Sequence, residues 1–152
     1  MEYKTHMNWT KLMLVKDSGR PIIRKTRILS SKDIFDVYKS IKGYFETLDR
    51  EEFIIVGLDG KNRTIFIHSA SVGCLTSSIV HPREVFKMAI LGNAASLIFC
   101  HNHPSGDTAP SPEDIEITKR LVEAGQLLGI KVLDHIIFGD DEYNSFADSG
   151  LI

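Results

Sequence analysis

Residues 94–106 of the chain read AASLIFCHNHPSG, and this segment is the strongest indication of the fold. Its first seven residues carry no charge, which is typical of a strand buried on both faces in the middle of a sheet. Two histidines follow, in a loop with two prolines and a glycine that runs to residue 110. Ser111-Pro-Glu-Asp114 then starts a predicted helix to about Leu128, and residues 130–138 form a last long strand. The order strand, loop, helix, strand predicts an α/β domain.

The rest of the chain continues this alternation toward the N-terminus. Asp59-Gly60 supplies a hairpin turn between two apolar strands, and Pro82 occupies a favoured first helical position. The predicted elements are strands at 11–15 and 21–25, a helix from Ser30 or Ser31 to Phe45, strands at 53–58 and 63–68, a strand with a loop at 71–80, and a helix at 82–92. No linker or repeat interrupts them, so we expect one globular domain.

Charge is distributed unevenly along the 152 residues. The chain holds 18 Lys and Arg against 20 Asp and Glu, a formal net charge of −2. The first thirty residues alone have a balance of +5, which leaves −7 for the rest. We therefore divide the chain into a basic N-terminal hairpin or arm at 1–29 and a domain at 30–152. The arm leaves nucleic acid as an alternative partner, but its charges also suit a solvated hairpin that resists aggregation, which we favour.

The cysteine content and the hydropathy pattern predict a soluble protein of the cytoplasm. Cys74 and Cys100 are too far apart for a C-x-x-C metal clip, and we expect both to be reduced and buried. The first nine residues are polar and lack the apolar core of a signal peptide. The longest apolar runs are too short to span a bilayer, which needs about 20 helical residues. No membrane partner is therefore expected.

Two histidines at positions i and i+2 follow the uncharged strand directly. Because side chains alternate along an extended backbone, His101 and His103 project to the same side and Asn102 points away. Asp114, in the first turn of the next helix, can bring its carboxylate to the same point. Two imidazoles and one carboxylate form the protein ligand set of a catalytic zinc ion, with the fourth position left for water. Ser111 and Asp114 also fit an ordinary helix cap, and an aspartate in a first turn can both cap and ligate.

The histidines belong to a longer pattern, H-x-H-x7-S-x-x-D with a glutamate upstream. The blocks around it are His81-Pro-Arg-Glu84, His101-Asn-His-Pro-Ser-Gly106, Pro110-Ser-Pro-Glu-Asp114, Leu133-Asp-His135 and Tyr143-Asn-Ser-Phe146. On these blocks, residues 50–147 resemble the RadC family of JAB/MPN-type (JAMM) metalloproteins. The resemblance implies a three-layer α/β/α sandwich of the JAB/MPN, cytidine deaminase-like type with a mixed sheet. It also implies one zinc ion (Zn2+) per chain, held by His101, His103 and Asp114.

The same resemblance implies roles for residues around the metal. In the family the upstream glutamate is a general base and the serine stabilises the oxyanion, which implies Glu51 and Ser111 here. Glu52 is the alternate base, because adjacent residues of an extended chain face opposite ways and only one glutamate can face the metal. Ser105 lies in the metal loop and is a candidate for the substrate cleft. His135 resembles a recurrent family position, where a hydrogen-bonded structural role is favoured over a catalytic one.

Zinc, a general base and an oxyanion donor together predict hydrolysis of an amide or isopeptide bond in a protein or peptide. The protein would thus be a zinc metallopeptidase of the JAMM type. The alternative is a non-catalytic RadC-type protein associated with DNA repair or protein interaction. A zinc-dependent base deaminase is set aside, because it needs H-x-E and a later P-C-x-x-C. His103 occupies the place of that glutamate, and the sequence contains no C-x-x-C.

Overall fold

A computed structural model of the chain describes residues 26–41, 50–73 and 80–152. These ranges contain three helices and five strands. The elements are α1 (Ser31–Ile41), β1 (Glu52–Leu58), β2 (Thr64–Val72), α2 (Pro82–Leu91), β3 (Ser96–Asn102), α3 (Pro112–Leu128), β4 (Lys131–Phe138) and β5 (Tyr143–Ser145). The strands form one sheet in the order β2-β1-β3-β4-β5. The sheet is mixed, because β3 and β4 are parallel whereas all other neighbours are antiparallel.

The central strands β1 and β3 are buried on both faces, and each face is covered by helices. Every residue of both strands is buried. Ile54 belongs to the apolar cluster that includes Ile34 of α1. Its neighbour Ile55 belongs to a second cluster, with Val85 of α2 and Leu121 of α3. Because adjacent strand residues face opposite ways, α1 covers one face and α2 with α3 the other. The predicted three-layer α/β/α sandwich with a mixed sheet is confirmed.

The parallel pairing of β3 and β4 determines where α3 begins. Two parallel neighbours need a crossover connection, so the chain must return along the sheet between them. Helix α3 makes this return, and its residues contact β4. The start of α3 therefore lies near the C-terminal end of β3. In open α/β sheets this edge is the usual place for a functional site.

Several predicted boundaries differ from the observed ones. Strand β3 continues to Asn102 rather than ending at residue 100, so His101 is a strand residue. Strand β5 was not predicted, since three residues are too few to show a period. The predicted strands at 11–15 and 21–25, and the helical residues at 42–45, lie outside the described residues. No helix in the three described ranges is long and apolar enough to cross a membrane.

The last residues of the predicted 1–29 arm attach to the sheet. The backbone N–H of Ile28 donates to the carbonyl of Asn62 at 2.8 Å, and the carbonyl of Thr26 accepts from Thr64 at 3.0 Å. Ile28 is 5% exposed and belongs to the cluster on the α1 face. These residues therefore pack as part of the domain. The rest of the arm lies outside the described residues.

Candidate metal centre

The unit of β3, α3 and β4 brings three predicted ligand residues together. His101 is the penultimate residue of β3, His103 follows the strand, and Asp114 lies in the first turn of α3. The Nε2 atoms of the two histidines are 2.9 Å apart. Oδ1 of Asp114 is 3.2 Å from His101 Nε2, and Oδ2 is 3.4 Å from His103 Nε2. The exposed fraction of the side chain is 6% for His101, 13% for His103 and 17% for Asp114, so solvent reaches the group.

These separations fit a tetrahedral zinc site. Ligand atoms about 2.0–2.1 Å from a tetrahedral ion lie about 3.3–3.4 Å from one another. The measured separations of 2.9, 3.2 and 3.4 Å need only small movements to reach that geometry. Among the described residues, His101, His103 and Asp114 form a group whose donor atoms all lie within 4.8 Å of one another. The three residues can therefore hold a metal ion, and two imidazoles with one carboxylate suit zinc.

A backbone carbonyl fixes the ring of His103. Its Nδ1 lies 2.6 Å from the carbonyl oxygen of Asp107. Since a carbonyl only accepts hydrogen bonds, Nδ1 carries a proton, and Nε2 is the atom that faces the other ligands. The hydrogen bond to Asp114 raises the pKa of His103, although burial opposes its protonation. Below this raised pKa, binding of a metal at His103 Nε2 displaces a proton.

A capping box at the start of α3 holds the carboxylate of Asp114. The backbone N–H and the hydroxyl of Ser111 donate to Oδ2 at 2.8 and 2.7 Å. In return, Ser111 Oγ accepts from the backbone N–H of Asp114 at 3.1 Å. Burial opposes the charge on Asp114, but its contacts with the imidazoles of His101 and His103 outweigh this effect, so the pKa of Asp114 lies well below its usual range. The helix cap and the candidate ligand are therefore the same side chain.

Helix α1 begins with the same S-x-x-D pattern, in Ser30-Ser-Lys-Asp33. The Ser30 N–H donates to Asp33 Oδ2 at 2.9 Å, and Ser30 Oγ accepts from the Asp33 N–H at 3.4 Å. This box is exposed to solvent and belongs to the helix on the opposite face of the sheet. The pattern thus caps both helices. Only the box at the start of α3 lies beside the end of β3, where the imidazoles of His101 and His103 are close to its aspartate.

Strand register places Glu51 on the side of the candidate ligands. Phe53 pairs with His101 across β1 and β3, and the two rings are stacked with centroids 6.2 Å apart. Glu51 lies two residues before Phe53, just outside β1, so an extended backbone would direct its side chain to the same face of the sheet as Phe53. The charge of Glu51 adds to the larger effect of the Asp114 hydrogen bond in raising the pKa of His103. Its position therefore favours Glu51 as the base, and the role itself stays a prediction.

Glu52 faces the other side of the sheet. It is buried, and its backbone N–H donates to Asn102 Oδ1 at 2.9 Å. Asn102 in turn donates through Nδ2 to the carbonyl of Arg50 at 2.9 Å, so its side chain points away from the two histidines, as the alternation predicts. Burial raises the pKa of Tyr38 on α1, and the charge of nearby Glu52 adds to this effect. Glu52 therefore points toward α1 rather than toward the candidate ligands.

Ser105 lies in the loop that joins β3 to α3. It is exposed, and its Oγ accepts from the backbone N–H of Asp107 at 3.3 Å. The neighbouring Gly106 has a φ of 80°, a conformation that favours glycine, and its N–H donates to the His103 carbonyl at 2.9 Å. The loop thus folds around His103 and presents Ser105 at the surface. A role of Ser105 in substrate binding stays a prediction.

His135 of β4 lies directly behind His101. Its side chain is fully buried, with Nε2 2.8 Å from His101 Nδ1 and Nδ1 2.5 Å from Thr118 Oγ1. Burial lowers the pKa of His135 well below its ordinary value. These contacts agree with the favoured hydrogen-bonded role. Thr118 was missed, although its place one helical turn after Asp114 is a signal that points it toward the same region.

The two C-terminal sequence blocks meet around Asp134. Its Oδ1 accepts from the backbone N–H groups of His135 and Ala147 at 2.7 and 2.9 Å, and its Oδ2 accepts from Ser145 Oγ at 2.6 Å. Burial raises the pKa of Asp134, against the effect of these bonds. The ring of Phe146 lies 4.7 Å from that of His135 between centroids. The segment after β4 is therefore tied back over His135.

His81 and Cys100 occupy structural positions. His81 is the N-cap of α2, where Nδ1 accepts from the backbone N–H of Arg83 at 3.1 Å. Cys100 is a free and buried thiol whose pKa is raised well above its usual value by burial. The expected burial of Cys100 is confirmed. Cys74 lies outside the described residues.

The chain has relatives over most of its length. A sequence model of the RadC-like JAB domain matches residues 28–151. A UPF0758 protein of Pelobacter propionicus is 49% identical over 136 residues, which cover 88% of this chain and 57% of the relative. A UPF0758 protein of Desulforudis audaxviator is 59% identical over 103 residues, which cover 68% of this chain and 45% of the relative. A UPF0758 protein of Caldanaerobacter subterraneus is 47% identical over 145 residues, which cover 92% of this chain and 61% of the relative. The chain spans about half the length of these curated relatives. On the match over residues 28–151, it belongs to the RadC family and carries a RadC-like JAB domain.

Proposed function

We propose that the protein is a zinc-dependent hydrolase that cleaves amide bonds, isopeptide bonds included, in protein or peptide substrates of the cytoplasm. The observation that carries the proposal is the convergence of His101, His103 and Asp114, with ligand atoms 2.9–3.4 Å apart. Three protein ligands leave one position of a tetrahedral ion open, which distinguishes catalytic from structural zinc sites. The described residues contain one such group, which supports one ion per chain.

Glu51 is the proposed general acid and base. When bound, zinc supplies Lewis acidity, which polarises a carbonyl group and makes water a competent nucleophile at neutral pH. The carboxylate of Glu51 takes a proton from the attacking water as the new C–O bond forms. When the C–N bond breaks, Glu51 returns that proton to the leaving amine. Two observations support this role: Glu51 lies two residues before Phe53, which pairs with His101, and its charge contributes to the raised pKa of His103.

Ser111 is proposed to serve two groups in turn. In the structure its hydroxyl donates to Asp114 Oδ2 at 2.7 Å and so orients the carboxylate. The same hydroxyl is our candidate donor to the oxyanion that develops on the substrate. Rotation about one side-chain bond transfers the hydrogen bond from Asp114 to the substrate, so a single serine can position a ligand and stabilise negative charge.

Protein is the proposed substrate class because of the charge of the domain. Outside the first thirty residues the chain has a balance of −7, which repels a phosphate backbone at close range. A peptide bond carries no net charge and meets no such barrier. Ser105, exposed two residues after His103, is the proposed contact for the substrate on the loop side.

The proposal is tested by comparing Glu51→Gln with Glu52→Gln in zinc-loaded protein. Internally quenched fluorogenic peptides, joined either by a normal peptide bond or by a lysine isopeptide bond, report hydrolysis. Loss of a general base costs about 10²–10⁴-fold in rate, so we expect this loss for Glu51→Gln with zinc content unchanged. Glu52→Gln, on the opposite face, retains the wild-type rate within a few fold.

Two outcomes would overturn the proposal. One is purified wild-type protein that takes up no zinc at neutral pH, measured by elemental analysis after incubation with excess metal and desalting. The other is a zinc-loaded wild type that cleaves neither kind of bond. A Glu51→Gln protein that works at the wild-type rate would remove Glu51 from the mechanism and return the question of the base to other residues.

A further inference from the structure

His135 is a polar side chain in an aromatic pocket, and both of its ring nitrogens are bonded. The rings of Phe53 and Phe146 have centroids 5.4 and 4.7 Å from its own, and its exposed fraction is 0%. Nδ1 faces the hydroxyl of Thr118, and Nε2 faces Nδ1 of His101. Buried polar groups are almost always hydrogen-bonded. In each of these two contacts, therefore, one atom must carry a proton and the other must accept it.

The hydroxyl of Thr118 fixes the direction of the first bond. Thr118 Oγ1 lies 2.6 Å from the backbone carbonyl oxygen of Asp114, one helical turn earlier. A carbonyl only accepts, so the single hydroxyl proton of Thr118 is donated to it. At 2.5 Å from His135 Nδ1, the same hydroxyl oxygen must then accept, and Nδ1 of His135 carries a proton.

The second bond follows from the first. The ring nitrogens of His135 contact an imidazole and a hydroxyl rather than a carboxylate, in a fully buried position where a charge would be costly, so the ring is neutral. A neutral ring with a proton on Nδ1 has a lone pair on Nε2. The 2.8 Å contact then requires that His101 donate from its own Nδ1. His101 consequently presents a lone pair at Nε2, toward Asp114 and His103.

We propose that Thr118 and His135 are positioning residues that select the metal-binding tautomer of His101. This inference rests on the proposed function, because it assigns the purpose of the tautomer to a metal at His101 Nε2. We name the series Asp114 carbonyl, Thr118, His135 and His101 the histidine relay. The relay begins at the backbone carbonyl of Asp114 and ends at His101, and both residues belong to the candidate metal centre. The backbone of Asp114 therefore helps to set the tautomer of His101, whose Nε2 lies beside the Asp114 carboxylate.

The two histidine ligands are fixed by different means. His103 donates to a backbone carbonyl in an exposed loop, which is a common partner for a metal-binding histidine. His101 donates to a neutral imidazole inside the core, which holds the tautomer without placing a negative charge behind the ligand. If His135 carried its proton on Nε2 instead, His101 would have to accept at Nδ1 and carry its proton at Nε2, where it would block the metal.

Thr118→Val, with Thr118→Ser as the matched control, tests the relay. Valine has the shape of threonine but no hydroxyl, so it leaves His135 Nδ1 without an acceptor. The ring of His135 then gains by moving its proton to Nε2, and His101 is forced into the tautomer that cannot bind. We expect the affinity for Zn²⁺, measured by competition with a fluorescent chelator, to fall 10–100-fold in Thr118→Val. Thr118→Ser keeps the hydroxyl and should bind Zn²⁺ within about threefold of wild type.

The tautomers are read directly by long-range ¹H–¹⁵N correlation spectra of metal-free, histidine-labelled protein at pH 8. In the wild type we expect protons on Nδ1 of both His101 and His135. In Thr118→Val both protons should move to Nε2. A wild-type His101 with its proton on Nε2 overturns the relay even if every variant fails to fold, and so does a folded Thr118→Val protein with wild-type Zn²⁺ affinity. A wild type that binds no Zn²⁺ but shows the expected tautomers supports the relay and overturns the proposed function.

Discussion

Replacing Ser111 with alanine separates the two consequences of the capping box at the start of α3. The change removes the hydroxyl that accepts from the Asp114 N–H at 3.1 Å and donates to its Oδ2 at 2.7 Å, and it leaves the backbone bond at 2.8 Å. Loss of an N-cap side chain costs about 1 kcal/mol and up to about 2 kcal/mol. We expect the free energy of unfolding of the metal-free protein to fall by about 1–2 kcal/mol. In a domain of this size, each kcal/mol lowers Tm by about 2–4 °C.

The expected effect on metal binding is independent of the effect on stability. Without the hydroxyl, Asp114 keeps one of its two bonds from Ser111, so its carboxylate is less firmly oriented. Loss of such a supporting bond weakens metal binding about 10–100-fold. Ser30→Ala is the matched control, because Ser30 and Asp33 form the same box on α1, exposed and with a longer 3.4 Å bond. We expect it to cost about 0.5–1 kcal/mol and to leave Zn²⁺ affinity unchanged.

Urea unfolding of the metal-free proteins and Zn²⁺ competition titrations give the two quantities. Ser111→Ala with wild-type Zn²⁺ affinity would show that its hydroxyl does not orient Asp114 for a metal. A loss of affinity in Ser30→Ala equal to that in Ser111→Ala would show that destabilised helices, rather than the local hydrogen bond, weaken binding. Equal unfolding free energies for Ser111→Ala and wild type would refute the capping contribution.

Three further predictions concern other parts of the domain. A hydrogen bond to a carboxylate raises the pKa of His103 above its ordinary value of about 6.5. Because a metal displaces this proton, apparent Zn²⁺ affinity should fall about tenfold per pH unit below the raised pKa and level off above it, as titrations from pH 5.5 to 8.5 would show. Gly125→Ala should cost about 1–3 kcal/mol in urea unfolding, because the new Cβ would lie 2.5 Å from the Ile130 carbonyl oxygen, whereas Gly60→Ala, with open space around it, should be nearly neutral. The buried thiol of Cys100 should resist maleimide labelling in the folded protein and react after unfolding, as mass spectrometry would detect.

The central part of the sheet was predictable because its sequence signal is local. Seven uncharged residues at 94–100 have few alternatives to a buried strand, and the last five of them lie in β3. Strand β5 gave no such signal. Its three residues are a strand because Ile136 and Phe138 of β4 offer backbone partners to Ser145 and Tyr143, which is a property of the assembled sheet rather than of the segment.

The candidate ligands were predictable, and the groups behind them were not. His101 and His103 are two residues apart, so their common side follows from strand geometry alone. The contact of His101 with His135 depends on the register of β3 and β4, in which Phe99 pairs with His135. A shift of one residue would turn His135 to the other face, and nothing in the sequence near either histidine specifies that register. Thr118 enters only once the helix is placed on this sheet.

The capping box of α3 also restricts which substitutions position 114 can accept. A third helical position that caps favours Asp, Glu or Gln, and a zinc ligand favours Asp, Glu, His or Cys. Only Asp and Glu satisfy both requirements. The bonds of 2.8 and 2.7 Å from Ser111 favour Asp, which has the shorter side chain. An engineer who stabilises the start of α3 by changing this box therefore alters the metal centre as well. Stabilising substitutions in this domain are better sought at α1, where Ser30 and Asp33 cap a helix on the opposite face of the sheet.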